Sequence, residues 1–142
     1  MRAVIDTGVF VSAFIRSQGT PGSVLRALRD GKFTVIDTTD VLVEIIDVLG
    51  RNKFREKYHI LPDDISALVN LIRLRGELVI PDKPIANLPN LTLCRDPKDV
   101  KFLIAALAGD ANCVVTGDAD LLDLGSFERI PILRPAEFLA RI

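Results

Sequence analysis

Apolar residues fall along the chain in short runs, and the runs alternate between strand-like and helix-like lengths. Val4-Ile5 is a brief apolar segment ending in Asp6-Thr7-Gly8, which predicts a buried strand followed by a turn. Val9 to Ile15 then carries too many apolar residues for an exposed segment. Thr20-Pro21 opens a helix through Arg29, with proline at its first helical position and Gly31 past its end, as helix boundaries prefer. Phe33 to Ile36 predicts the next strand. From Asp40 to Arg51 apolar residues occupy most sides, with Glu44, Asp47 and Arg51 on one polar stripe; a helix largely enclosed by protein is expected. Asp63 to Arg75 predicts a further helix between Pro62 and Gly76, and Glu77 to Ile80 a third strand ended by Pro81. Asp82 to Arg95, with Pro84, Pro89 and two Asn, reads as the one long irregular connection, a linker or flap within one domain. Asp96-Pro97 starts a helix through Ala108, closed by Gly109. Asn112 to Thr116 predicts a β-branched strand, Asp120 to Leu124 a short helical turn, Ile130 to Leu133 a last strand and Pro135 to Arg141 a closing helix.

Strands that are apolar runs, alternating with helices, predict an α/β fold: a three-layer α/β/α sandwich whose central sheet is mostly parallel and covered on both faces. Residues 1–142 are expected to form a single domain, since 142 residues with 49% hydrophobic character can bury a full core without metals or disulfides. No purely apolar stretch, Phe102 to Ala108 among the longest, approaches the ~18 residues of a membrane span. Asp6 and Arg16 interrupt the first apolar run, which makes a poor signal peptide, so a cytoplasmic protein is expected.

Two cysteines, Cys94 and Cys113, are too far apart for a zinc knuckle or a redox pair and read as reduced core thiols. The single histidine, His59, excludes zinc sites built from His and Cys clusters and two-histidine acid/base schemes; it reads as a surface residue. Carboxylate is plentiful instead, with 19 Asp plus Glu. In an open parallel sheet the ligand site lies beyond the carboxyl ends of the strands. Asp6 ends the first strand, Asp37 the second, and Asp118 and Asp120 follow the Val114-Val115-Thr116 strand, with Asp96 and Asp99 at a helix start near the same edge. Two carboxylates ~4 Å apart repel by roughly 4 kcal/mol at an effective dielectric of 20, so a cluster without basic partners calls for a cation. Hard oxygen donors with no Cys or His beside them select Mg²⁺ or Mn²⁺. Structural readings stand beside these. Asp96 suits an N-cap, with Asp99 complementing the helix dipole; Asp118 and Asp120 suit a turn and a cap; Glu44 suits a solvated helix face.

Four motifs in order, Val4-Ile5-Asp6-Thr7-Gly8-Val9-Phe10, Glu44 ahead of Val48-Leu49-Gly50-Arg51-Asn52-Lys53-Phe54, Asp96-Pro97-Lys98-Asp99-Val100-Lys101-Phe102-Leu103 and Val115-Thr116-Gly117-Asp118-Ala119-Asp120, resemble the PIN-domain family, in its prokaryotic toxin branch. The resemblance covers nearly the whole chain. It implies a metal-dependent ribonuclease: Asp6, Glu44, Asp99 and Asp118 on the catalytic acidic positions, with Asp6, Asp99, Asp118 and the accessory Asp120 as ligands of Mg²⁺ or Mn²⁺. Thr116 falls on the supporting hydroxyl, and Asp96 is a second candidate for the third ligand. An RNA substrate, a cognate antitoxin protein and a homodimer are implied as partners, with no membrane association. Two positions depart from the family pattern: Gly8 stands where Asn is usual, and Lys101 where many toxins place the third Asp. A net charge of -1 leaves Arg16, Arg26, Lys53, Arg55, Lys57, Lys98 and Lys101 as the basic groups able to form a groove around the ions. Two other readings remain: a non-catalytic PIN-like domain that binds RNA or protein, and a phosphorylated receiver-type domain. The latter wants a second acid next to Asp6 or two positions on, where Thr7 and Gly8 stand.

Overall fold

The computed structural model describes residues 1–82 and 88–142. The described strands are β1 (Arg2–Ile5), β2 (Thr34–Asp37), β3 (Gly76–Leu78), β4 (Cys113–Val115), β5 (Ser126–Phe127) and β6 (Ile130–Leu133). They form one six-stranded sheet in the order β3-β2-β1-β4-β6-β5, parallel throughout except for the antiparallel β5–β6 edge. Helices α1 (Thr7–Ile15), α2 (Thr20–Arg29), α3 (Thr39–Leu49), α4 (Asn52–Tyr58), α5 (Pro62–Arg75), α6 (Val100–Ala108), α7 (Ala119–Leu122) and α8 (Pro135–Leu139) flank it. This is the expected α/β/α sandwich with a mostly parallel sheet. The central strands are apolar runs because both faces are covered: Ala3, Val4, Ile5, Val114 and Val115 are fully enclosed.

β1 lies between β2 and β4, with Ala3 beside Val35 on one side and Cys113 on the other. The chain therefore moves outward on one side of β1, through β2 and β3, and later returns to the opposite side through β4. That reversal opens a crevice at the carboxyl ends of β1 and β4. Helix caps fix the entries around it. The Asp6 carboxylate accepts from Gly8 N–H as α1 begins, and Thr38 Oγ1 accepts from Val41 N–H as α3 begins.

Several sequence expectations change. The α3 helix is less enclosed than its composition suggests: Val43 is 57% and Ile46 43% exposed, while Val41, Ile45 and Leu49 alone make its buried face. The helix expected from Asp96 begins with a 3-10 turn, Pro97–Asp99, before α6. Helix α4 was not foreseen, because Asn52–Tyr58 buries no residue and shows only Phe54 and Tyr58 one turn apart. The two-residue β5 was too short to read. Part of the irregular connection, 83–87, lies outside the described residues; beyond it Pro89–Leu93 form a 3-10 turn anchored by buried Leu91. Both cysteines are buried free thiols and His59 is exposed, as expected.

Gly76 joins α5 to β3 where no side chain fits: a Cβ there would stand 2.3 Å from Ile72 O and 2.8 Å from Val35 O. Gly76→Ala should therefore cost about 1–3 kcal/mol, as overpacking does, a loss of roughly 2–12 °C in melting temperature for a domain of this size. An unchanged urea midpoint would show that the α5–β3 junction relaxes freely.

Candidate metal centre

The carboxyl end of β1 leads directly into α1, so Asp6 is both the last residue of the strand path and the cap of the helix. Its Oδ1 accepts from Gly8 N–H at 3.1 Å and its Oδ2 from Thr116 Oγ1 at 2.6 Å. Thr116 follows β4, is fully buried, and its hydroxyl oxygen also accepts from Asp118 N–H at 2.9 Å. One hydroxyl thus orients two candidate acids. Asp118 in turn caps α7, accepting from Asp120 N–H at 2.7 Å. Asp96 accepts from Lys98 N–H at 2.9 Å, the cap role foreseen for it.

Asp99 has no such partner. It is 8% exposed, and its Oδ2 is buried with no hydrogen-bond donor among the described residues. Burial pushes its carboxyl up to about 7, assisted by the negative charges of Asp118, Asp6, Asp96 and Asp120 in that order. Asp6 is also raised, chiefly by burial, against the opposing hydrogen bonds from Thr116 and Gly8. A third buried carboxylate, Asp37 at the end of β2, is pushed up by burial to about 6; it lines neither cavity described below.

Two cavities meet at these residues. One of about 380 Å³ is lined by Asp6, Gly8, Asp99, Gly117 and Asp118 among others. The other, of about 280 Å³, is lined by Asp6, Thr7, Gly8, Glu44 and Asp99, with Phe54 and Phe102 as walls. Asp6 and Asp99 belong to both. A larger apolar groove of about 460 Å³ between Phe14, Leu25, Leu68 and Leu74 shares no residue with them and holds no cluster of acids.

Not every predicted acid is equally close. Asp96, Asp99 and Asp120 each place an oxygen within 4.8 Å of the others, the one triple with that spacing among the described residues. Asp6, Asp99 and Asp118 instead converge on a shared cavity, more widely spaced. Asp99 is common to both sets.

Basic side chains stand at both ends of this acidic row. Lys101 Nζ lies 2.6 Å from Glu44 Oε1, and Thr7 Oγ1 donates to Glu44 Oε2 at 2.5 Å. Lys101, expected as one of the groove cations, is therefore paired with an acid. Arg95 pairs with Asp120 at 3.3 Å and with Asp123. Among the described residues no ion pair reaches Asp6, Asp99 or Asp118. The donor set left without cationic partners is all hard oxygen, with one buried lone-pair site unfilled, and it fits Mg²⁺ or Mn²⁺. Thr7 and Arg95 were missed in the sequence because their partners are 37 and 25 positions away.

A profile described as the PIN domain matches residues 2–120. An uncharacterized protein of Methanocaldococcus jannaschii is 31% identical over 124 residues, spanning 87% of this chain and 75% of that protein. A chain in the crystal structure of VapBC2 from Rickettsia felis, bound to a DNA fragment from their promoter, superposes with a TM-score of 0.63 at 15% identity, over 94% of this chain and 98% of that one.

Asp99 makes the ion-free protein pH-sensitive. Its carboxyl titrates near 7 when folded against 3.8 ordinarily. The folded state therefore holds a proton that the unfolded state releases, and the stability this confers is full below pH ~4 and lost as pH rises to ~7. In EDTA the melting temperature should fall across that window, and Asp99→Asn should lessen the fall, leaving the part that the buried Asp37 and Asp6 contribute. Parallel profiles for the two proteins would refute the raised carboxyl.

Proposed function

The chain belongs to the PIN-domain family, a family of nucleases, and on that premise we propose that it is a Mg²⁺- or Mn²⁺-dependent endoribonuclease, the toxin of a toxin–antitoxin pair. The observation that carries the reading is Asp99: a buried carboxylate with an unpartnered oxygen, facing four further acids, requires either a proton or a cation. Asp6, Asp99 and Asp118 would hold the ion, with Asp120 accessory and Asp96 beside it. The chemistry such an ion would supply there is positive charge against the scissile phosphate and acidification of a water.

The chain's own groups do the rest. Asp6 is held in one orientation by Thr116 and Gly8, so it enters the site without rotamer loss. Glu44 is fixed by Lys101 and Thr7 in the wall of the cavity it shares with Asp6 and Asp99, where it would orient the attacking water. Asp99, its carboxyl pushed up to about 7, would have to release its proton to serve as a ligand. No side-chain nucleophile is required. Gly8 stands in the first turn of α1, where a Cβ would meet nothing nearer than 3.9 Å, so the position lacks a side-chain amide beside the site although space for a side chain is there.

An antitoxin protein as partner is supported by the fold shared with VapBC2. A homodimer is supported by the exposed apolar residues Val43, Ile46, Leu74 and Ile80, two-fold pairing being the commonest closed symmetry. No helix among the described residues is long and apolar enough to cross a membrane, and we place the enzyme in the cytoplasm.

The purified protein should cut single-stranded RNA in Mg²⁺ or Mn²⁺ and stop in EDTA. Asp6→Asn and Asp118→Asn should each abolish cutting while folding normally. Asp96→Asn should keep it, since Asn caps a helix start nearly as well as Asp. Cutting at the wild-type rate by either of the first two variants, free of contaminating nuclease, would remove the assigned centre; loss in Asp96→Asn would make Asp96 a ligand. Absence of cutting by a folded, metal-loaded wild type would favour the non-catalytic binding domain. Light scattering should show a dimer at high micromolar concentration, and a monomer there would remove the two-fold interface.

A further inference from the structure

Helix α4 has no buried residue, yet it is not an idle surface turn. It carries Lys53, Arg55 and Lys57 against one acid, Glu56, with Phe54 and Tyr58 one turn apart between them. The two rings are stacked, 6.1 Å between centroids and 25° between planes, and Lys57 Nζ stands 5.4 Å from the Tyr58 centroid. Each ring lines a cavity. Phe54 walls the one shared by Asp6, Glu44 and Asp99. Tyr58 walls a separate cavity of about 610 Å³ that also takes in Ser12, Arg16 and Pro21. Ser12 and Pro21 in turn line the cavity of Asp6, Asp99 and Asp118. The Tyr58 cavity therefore adjoins the acidic one through Ser12 of α1 and Pro21 of α2, and its lining includes an exposed cation, Arg16.

Resting on the ribonuclease reading, we propose that the Tyr58–Arg16 cavity is a substrate subsite that seats an unpaired base of single-stranded RNA next to the scissile phosphate. Single-stranded nucleic acid is held by aromatic faces that stack bases and by cations that track the backbone, and this cavity has one of each at its wall. A phosphate chain cannot gain from the acidic cavity itself, so the affinity that positions it must come from beside that cavity. Arg16 answers the phosphate charge, and the ring answers the base without reading its identity. Phe54 stacks with the Tyr58 ring from one helical turn earlier. Arg26 does not share the task, because its guanidinium is spent on Ser17 O and Ser23 Oγ.

The chain holds one tyrosine and no tryptophan, so its intrinsic fluorescence reports Tyr58 alone. A short single-stranded oligoribonucleotide, titrated in EDTA at low salt so that nothing is cut, should quench that emission; the same strand in a duplex should not, its bases being already stacked. With a dye-labelled strand read by anisotropy, Tyr58→Phe should bind as wild type does, Tyr58→Ala about ten- to a hundredfold more weakly, and Arg16→Gln more weakly with a shallower salt dependence. Melting curves on Tyr58→Ala check that it folds, and the exposed Arg16→Gln supplies a variant with no packing role. Binding without quenching, equal affinity of the folded Tyr58→Ala, or no binding by wild type at millimolar strand would each overturn the subsite. Quenching and binding by a wild-type protein that never cuts in Mg²⁺ would uphold the subsite and overturn the ribonuclease reading instead.

Discussion

The hydrogen bond from Thr116 to Asp6 joins two segments 110 residues apart at the point where the site is built. Without it the carboxylate at the end of β1 would sit buried beside other acids with a single backbone donor. With it, Asp6 keeps a charge-assisted partner inside the protein, and the same hydroxyl oxygen steers the backbone of Asp118. Thr116 can serve both only because β4 pairs in parallel beside β1, in the register Ile5 with Val115. The adjacency of those strands is itself set by the apolar runs that make them the centre of the sheet.

From that anchor the electrostatics are graded outward. Asp6 is buried but hydrogen-bonded, Asp99 is buried and unpartnered on one oxygen, and Glu44 and Asp120 at the flanks have Lys101 and Arg95. The two cations differ in weight. Lys101 and Glu44 are both mostly enclosed, so their pairing fixes a conformation, whereas the Arg95 contacts are solvent-exposed and contribute little to stability. Neutralising the flanks while leaving the middle unpaired concentrates the unfavourable charge where Asp6 and Asp99 line both cavities. This is a local conflict that folding alone would not retain, and such conflicts are the physical mark of a site.

The order of strands and helices could be read from the sequence because each is a separate apolar run bounded by Pro, Gly or a capping acid. Asp6, Asp118 and Asp96 stood out for the same reason, since each sits at a strand end or helix start where backbone donors gather. What escaped is of another kind. Helix α4 has almost no apolar face, so periodicity is silent there. The exposure of Val43 and Ile46 is invisible because an apolar residue does not announce whether a second subunit or the core covers it. Lys101 read as a free cation because its partner lies 57 positions earlier on another helix. Glu44 read as solvated for the mirror-image reason. Long-range pairing leaves no period in a sequence, and the family resemblance, not spacing, lifted Glu44 out of the surface.

Strand order decides why the centre can exist on so short a chain. In the order β3-β2-β1-β4-β6-β5 the connections leave β1 in one direction and come back on the other, which opens the crevice between the carboxyl ends of β1 and β4. Helix α1 starts at one lip of that crevice and α7 at the other, capped by Asp6 and Asp118 respectively. An acid that caps a helix already has its first hydrogen bond, which lowers the cost of burying its charge. Asp99 differs: it stands where a 3-10 turn passes into α6 and its side chain caps nothing. Among the acids at helix starts, Asp6, Asp96, Asp99 and Asp118, it is the one whose side chain accepts no backbone N–H among the described residues. Its burial therefore has to be balanced by something outside the chain, a proton when the site is bare or a cation when it is filled.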